Sequence, residues 1–499
     1  MDCAKCLIHK LFLTPKVFKG FKGIGINRTR TEEFSSDSNE KASVTAVLAR
    51  DQHRLDDFYR VVLLNVKREV KLVPEDFMTK LNIKSPGPIG LADIAEQAAH
   101  SVEMMSQIRA AMLSPTTRKA APVWNLSQLA QLLGIEKGSL THRMGRGDLP
   151  PGTLNEVGNR RQFTLPEVRA WVREYRKESL KPAGAEAVTI SIANFKGGVG
   201  KTTTAITLAQ GLSLLGHKVL VIDTDPQGSL TTLFGILPDA EVEEEDTILP
   251  LVMGAETSIR YAIRATYWDG IDLVPASPLL FGAEFALPAR QTKEEGFEFW
   301  NVLDYGIDDV RGDYDVIVID TPPALSYTTI NALLASNGII MPLPPSTLDF
   351  ASAAQFWSLF SDLTTQLLTN RGHDKKFDFM NILLSRVDSS DATGAIVKQW
   401  IQSTYANRVS VLPMEIPKSA VTASATVEFG TVYDITKYDG NVRTFKRARD
   451  AYDLMVGYIE TSVQSVWRRQ VESSPGVTAS PGQTAAVLNR STLIEKGAE

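Results

Sequence analysis

The stretch "ISIANFKGGVGKTTTAITLAQ", residues 190–210, decides the fold. An apolar run enters a glycine-rich loop, and a helical pattern leaves it after Thr202. Backbone N–H groups of such a loop, with a helix N-terminus behind them, converge on an anion and suit a phosphate. Lys196, Gly197, Gly198, Val199, Gly200, Lys201, Thr202 and Thr203 then form the nucleotide-binding loop. Lys201 brings charge to the β- and γ-oxygens, and the Thr202 hydroxyl can bind Mg2+ directly. The usual phosphate loop has Gly, four residues of any kind, then Gly-Lys-Ser/Thr. Here Phe195 stands at the first position and a second lysine, Lys196, follows it. One triphosphate gives that second lysine no obvious task.

Downstream of the loop, apolar runs alternate with helical patterns: "VTISIA", "KVLVID", "IDLVP", "DVIVID", "GIIMPL", "FMNILLS" and "RVSVLP". Near-continuous Val/Ile/Leu runs fit parallel strands buried on both faces, so residues 187–468 read as an α/β domain, a mostly parallel sheet flanked by helices. Asp223 and Asp225 close one such run and Asp320 closes another. Carboxylates at strand C-terminal edges beside a phosphate loop can hold an attacking water and support Mg2+. Taken singly, such an aspartate is more often a turn former or a cap.

The run "KGGVGKTTT" resembles the deviant Walker A motif of the ParA/MinD group of ATPases. "KVLVIDTDPQGSLT" resembles that group's second motif, and "YDVIVIDTPPALSYTTINALLAS" its Walker B element. The resemblance runs from about Val188 to Glu460 and includes "PASPLLFGAEFAL" and "MPLPPSTLDFASAAQFW". It implies a ParA/MinD-like P-loop fold that uses ATP and Mg2+. Lys196 matches the signature lysine, which reaches across a homodimer to the partner's nucleotide, and is expected to be catalytic. Asp225 matches the aspartate needed for hydrolysis, while Asp223 and Asp320 are expected in the Mg2+ shell. The resemblance further implies a cytoplasmic, nucleoid-associated ATPase of plasmid or chromosome partition. Its ATP-bound dimer would coat DNA nonspecifically, and a ParB-like partner would stimulate hydrolysis. Two relatives fit less well: no paired cluster cysteines lie in this domain, unlike the nitrogenase iron protein, and the chain ends in a polar stretch where MinD carries a membrane helix. No membrane partner is expected.

At 499 residues the chain exceeds one core, and two or three domains are expected. The net charge of −5 advertises no nucleic-acid binding overall. Cys3 and Cys6 are spaced like a metal pair, but no second pair or histidine cluster completes a site, so they read as incidental. Residues 1–45 read as a disordered basic leader and 470–499 as a disordered tail. Between leader and ATPase, residues 46–115 read as helical. Residues 89–113 space Leu91, Ile94, Ala98, Val102, Met105, Ile108 and Met112 along one helix face, which packs either on its own domain or on a twin as a dimerisation helix.

Residues 118–180 differ from the rest of the chain. From Arg118 to Lys181 there are twelve basic residues against six acidic ones, a local balance of +6. Helix, turn, helix, hairpin and helix follow in order, which resembles the winged helix-turn-helix of MerR-type proteins and the arrangement of larger, plasmid-type ParA proteins that repress their own operon. Ser139, Thr141, His142, Arg143 and Arg146 would then read the major groove, with Arg160 and Arg161 at the wing tip. A small helical adaptor with a solvated basic face is the competing reading. A second basic cluster, Arg443, Lys446 and Arg447, together with Lys418, suits phosphates independently of sequence. A transcriptional repressor regulated by ATP, without a partition role, is the alternative for the whole chain.

Overall fold

All seven apolar runs become strands of one sheet in the computed structural model, which describes residues 88–112, 119–406, 409–419, 421, 430–435 and 440–473. The expected leader, the helical reading of residues 46–87 and the tail beyond residue 473 lie outside the described residues. The chain divides into two compact units, residues 1–99 and 100–499. Of the first, only the last residues are described, and there helix α1 (Leu91–Met112) begins. Its Leu91, Ile94 and Val102 are exposed, so the apolar face expected from the spacing is uncovered over that stretch.

Within the second unit a small module comes first. Strand β1 (Trp124–Asn125) leads into α2 (Leu126–Leu133), α3 (Lys137–Met144), the paired strands β2 (Thr153–Leu154) and β3 (Arg161–Phe163), and α4 (Leu165–Tyr175). The three strands form an antiparallel sheet in the order β1-β3-β2. Asn125 caps α2 in a reciprocal pair with Gln128, and Thr164 does the same for α4 with Glu167, so both helix starts follow from local sequence.

The large sheet contains β4 (Val188–Ile192), β5 (Val219–Asp223), β6 (Arg264–Ala265), β7 (Ile271–Val274), β8 (Val316–Asp320), β9 (Gly338–Leu343), β10 (Phe379–Val387) and β11 (Ser410–Pro417). Their order is β11-β10-β9-β4-β8-β5-β7-β6. Every pairing is parallel except β6 with β7, and β6 is the one strand no apolar run announces. Strands β4, β5, β8 and β9 are buried along their whole length, as coverage by helices on both faces requires. Val188, Ile190 and Ile192 feed one core while Ile317, Ile319, Leu220 and Ile222 feed the other. Trp124, Leu129 and Trp171 of the small module join the first of these cores, so module and sheet share apolar packing.

The longer helices around the sheet are α5 (Lys201–Leu214), α6 (Ala283–Lys293), α7 (Tyr327–Leu334), α8 (Thr347–Leu367), α9 (Ala392–Thr404) and α10 (Val442–Ser473). α10 lies across α5, burying Tyr452, Met455, Val456, Ile459 and Val463 at helical spacing. The crossing needs Gly211 on α5: a Cβ there would sit 2.3 Å from a Val456 methyl. α10 also carries Gln470–Ser473, where the sequence suggested the tail had begun; the helix continues because Val466 and Trp467 anchor its preceding turn in the core.

Candidate nucleotide site and basic faces

The phosphate loop leaves β4 and turns into α5. Gly198 and Gly200 have φ values of 73° and 97°, a backbone that lets successive N–H groups face the same side and that side chains rarely adopt. Asn194 fixes the loop's start, accepting from the Lys196 N–H at 3.0 Å while its amide donates to the Pro342 carbonyl. Lys201 is buried, and its Nζ donates to the Lys196 carbonyl at 3.1 Å. Burial lowers its pKa, while Asp320 and Asp225 pull it back up. Gly197 and Gly198 are exposed, and Lys196 is half-buried with its Nζ 2.7 Å from Asp349 Oδ1. Phe195, at the position of the missing first Gly, packs on Phe356 with ring centroids 4.4 Å apart. The aromatic residue ties the loop entrance to α8.

Register brings the two strand-end aspartates together. Asp320 pairs across to Asp223 on one side and to Ile192 on the other, directly beneath the loop. Burial pushes Asp223 up to about 7, against the bonds from Thr231, and pushes Asp320 well above the carboxylate range with help from the Asp223 charge. Their hydrogen bonding differs sharply. Asp223 accepts from the Thr231 N–H and hydroxyl at 2.9 and 2.7 Å and from the Asp225 N–H at 3.1 Å. Its oxygens therefore shape the turn that presents Asp225. Asp320 has two buried oxygens with no partner inside hydrogen-bond distance among the described residues, although the Thr202 hydroxyl is close enough to pull its pKa down. An orphaned carboxylate next to the Thr202 hydroxyl and beneath a cluster of N–H groups fits a hard divalent cation with its water shell, whose charge would offset the burial penalty. Asp225, half-buried, lines the same cleft with Gly197–Thr204, Gln227 and Lys418.

The polar and basic residues of the small module fall into three groups. Ser139, Thr141, His142, Arg146 and Arg160 are exposed. Arg143 is instead paired with Asp148 at 2.5 Å, and Arg161 donates to the Pro151 carbonyl, so these two hold the module's own loops. A further set turns inward. Arg169 is buried and donates to the Ser213 and His217 carbonyls at 3.1 and 2.8 Å and to Asp269 at 2.6 Å. Arg173 reaches the Gly216 carbonyl at 2.5 Å. Arg176 donates to the Leu215 carbonyl and forms a two-pronged pair with Glu460 of α10 at 2.9 and 2.8 Å. Three arginines thus cap the C-terminal end of α5, where helix carbonyls lack partners and cations are favoured. Lys181 and Lys119 also turn toward the large sheet and its helices, on the Tyr314 and Leu233 carbonyls. Counting these charges toward DNA overstates the module's basic face.

Arg443, Lys446 and Arg447 are exposed in the first two turns of α10, which have no acidic residue. Cations there oppose the helix dipole, an arrangement an external phosphate would relieve. Lys418 and Arg447 both act on Asp388, whose carboxyl is held low first by Ser390 and then by these two charges.

A glycine-rich loop between a central parallel strand and its helix, with carboxylates on the adjoining strand ends, defines a P-loop nucleotide-binding protein. A family model described as an AAA domain matches residues 187–372. The chain is 30% identical over 410 residues to a provisionally named replication protein A of Rhizobium rhizogenes, covering 79% of this chain and 100% of that one. It is also 30% identical over 269 residues to the chromosome partitioning protein ParA of Caulobacter vibrioides, covering 52% of this chain and 92% of the relative. A solved structure titled partition protein aligns with a TM-score of 0.53 at 20% identity, over 75% of this chain and 99% of that one, and shares the fold. The chain belongs to the ParA family of partition ATPases. No helix among the described residues is long and apolar enough to cross a membrane.

Proposed function

We propose that the protein binds ATP as a homodimer, coats DNA in that state and hydrolyses ATP when a ParB-like partner, bound at a centromere-like site, engages it. The supporting observation is the separation of the two loop lysines. Lys201 is buried and turned onto its own loop, whereas Lys196 stands at the rim beside the exposed Gly197 and Gly198. In this reading one lysine serves the chain's own triphosphate and the other serves that of a second chain. Asp225 orients the attacking water in this reading, and Lys196 steadies charge that develops on the partner's γ-phosphate. Thr202 and Asp320 would hold Mg2+, which when bound neutralises the β- and γ-oxygens. Lys418, Arg443, Lys446 and Arg447 meet DNA phosphates.

The small module would bind an operator through α3 and the β2–β3 turn, making the protein a repressor of its own operon in the ADP or nucleotide-free form. Its arginine contacts with α5 favour operator binding that responds to nucleotide. The decisive experiment is DNA binding with ATP, ADP or no nucleotide, on operator and on random DNA. ATP should promote binding to random DNA, and Lys201→Ala should abolish that response. Random-DNA affinity that ignores nucleotide would sink the proposal.

A further inference from the structure

We propose that Arg386 is a positioning residue of the phosphate loop, acting from a bulged strand end on the Gly198 carbonyl. Strand β10 pairs with β9 in unbroken register from Phe379 opposite Gly338 to Leu384 opposite Leu343. On its other edge the register slips. Leu384 stands opposite Glu415 and Val387 opposite Pro417, so β10 carries one residue more than β11 across that interval. Bulges of this kind re-aim side chains beside functional sites.

The two residues inside the bulge both reach the loop. Ser385 Oγ donates to the Val199 carbonyl at 2.8 Å, and Arg386 Nη1 donates to the Gly198 carbonyl at 2.5 Å. Arg386 has φ 52°, and it alone among the described non-glycine residues has positive φ. Its long side chain gives no local compensation for a left-handed backbone, which costs about 1 kcal/mol or more and persists only where surroundings enforce it.

The strain has a use in the loop's polarity. The N–H groups of a phosphate loop must all face the anion, which leaves their carbonyls turned outward. A donor on the Gly198 carbonyl polarises the peptide that presents the Val199 N–H, and the Ser385 bond does the same for Gly200. Both contacts also hold these peptides against flipping. The guanidinium grips the loop through a backbone carbonyl while lining the same cleft as Gly197–Thr204, so comparing ATP with ADP separates this grip from a direct phosphate contact.

This inference rests on the nucleotide-site reading, and two variants of the full chain test it. Arg386→Gly removes the guanidinium and the strain together; Arg386→Met removes the guanidinium and keeps the strain. Titration with fluorescent ATP and ADP analogues should show affinity for both nucleotides falling by the same factor, about tenfold. The melting temperature of the Gly variant should equal or exceed wild type, and Arg386→Lys should recover part of the loss. Wild-type affinity in the Met variant would overturn the proposal. So would a loss for ATP much larger than for ADP, which marks a direct γ-phosphate contact instead. Failure of the wild-type chain to bind either analogue would refute the nucleotide site itself, with Lys201→Ala as the matched control.

Discussion

Lys196 Nζ lies 2.7 Å from Asp349 Oδ1 of the same chain, at the N-terminal turn of α8. Ser346 donates its hydroxyl to the other carboxylate oxygen, so the aspartate is held in place to receive the lysine. The lysine proposed to serve a second chain's nucleotide therefore has a partner within its own chain. The Lys196 side chain is 39% exposed, so solvent screens the pair to about 1 kcal/mol at most. That is enough to park the lysine and too little to prevent its release.

Asp349→Asn should therefore favour the ATP-bound dimer by up to about fivefold while leaving nucleotide affinity of the monomer unchanged. Light scattering across a protein dilution series, with ATP present, reads the dimer constant directly. An unchanged constant would show that the pair does not restrain Lys196.

Mixing two defective chains tests whether Lys196 acts across the interface. Lys196→Ala keeps a competent loop lysine, and Lys201→Ala keeps a competent rim lysine. Acting in trans, the Lys196 of the second chain completes the nucleotide site of the first, so a mixture should recover ATPase activity that neither variant shows alone. Heterodimers detected by light scattering that remain inactive would place Lys196 in its own site.

Asp225→Ala should bind ATP and dimerise but lose at least about a hundredfold in hydrolysis, because the water loses its orienting carboxylate. Asp223→Ala should instead destabilise the turn, leaving the Thr231 N–H and the Asp225 N–H without an acceptor, at about 2 kcal/mol in thermal or denaturant unfolding. The two aspartates, two residues apart, are thereby separable, one by turnover and the other by stability.

Much of this was legible in residue types alone. Strands buried on both faces leave continuous apolar runs, so β4, β5 and β7–β11 announce themselves; β6, two residues at the sheet's edge, leaves no run. Other features depend on neighbours that a sequence does not display. Arg169, Arg173 and Arg176 read as charge for DNA because a charge count cannot see helix carbonyls waiting at the end of α5. Their spacing of four and three is a single helix face shared with Val172, and that periodicity was the available signal. Asp223 and Asp225 differ only in where the strand stops. Arg386 carries no signal at all, since neither a bulge nor a positive φ is written in an arginine.

Arg169→Ala should detach the small module from α5. The Ser213 and His217 carbonyls lose their arginine donor and the exposed Asp269 loses its ion-pair partner, a loss of about 3 kcal/mol. Operator affinity should stop responding to nucleotide, because α5 begins at the phosphate loop and its far end no longer grips the module. ATP hydrolysis should persist. Arg160→Ala, by contrast, should weaken operator binding and leave its nucleotide response intact. Equal behaviour of the two variants would deny the coupling.

The junction of module, sheet and α10 also predicts how stability follows pH. His217 is fully buried, with Nε2 2.6 Å from Glu460 and Nδ1 3.7 Å from Asp315. Arg176 pairs with Glu460 from the module side, Lys181 acts on Asp315, and the Trp467 ring stacks at 5.6 Å. Burial alone would lower the histidine's pKa, but the two carboxylates outweigh it and raise it; the same contacts hold Glu460 and Asp315 low against burial. A raised histidine stabilises the fold fully below its ordinary value of about 6.5, and that contribution is lost as pH rises through the higher folded value. The lowered carboxylates behave oppositely: their contribution is full above about 4.5 and disappears as pH falls through the folded values. The junction's own contribution to stability should therefore be largest between about pH 4.5 and 6.5 and decline on both sides. Urea unfolding across pH measures both limbs. His217→Gln, which cannot titrate, should flatten the alkaline limb and keep the acid one. If the alkaline slope survives that substitution, His217 is not the group whose proton stabilises the junction.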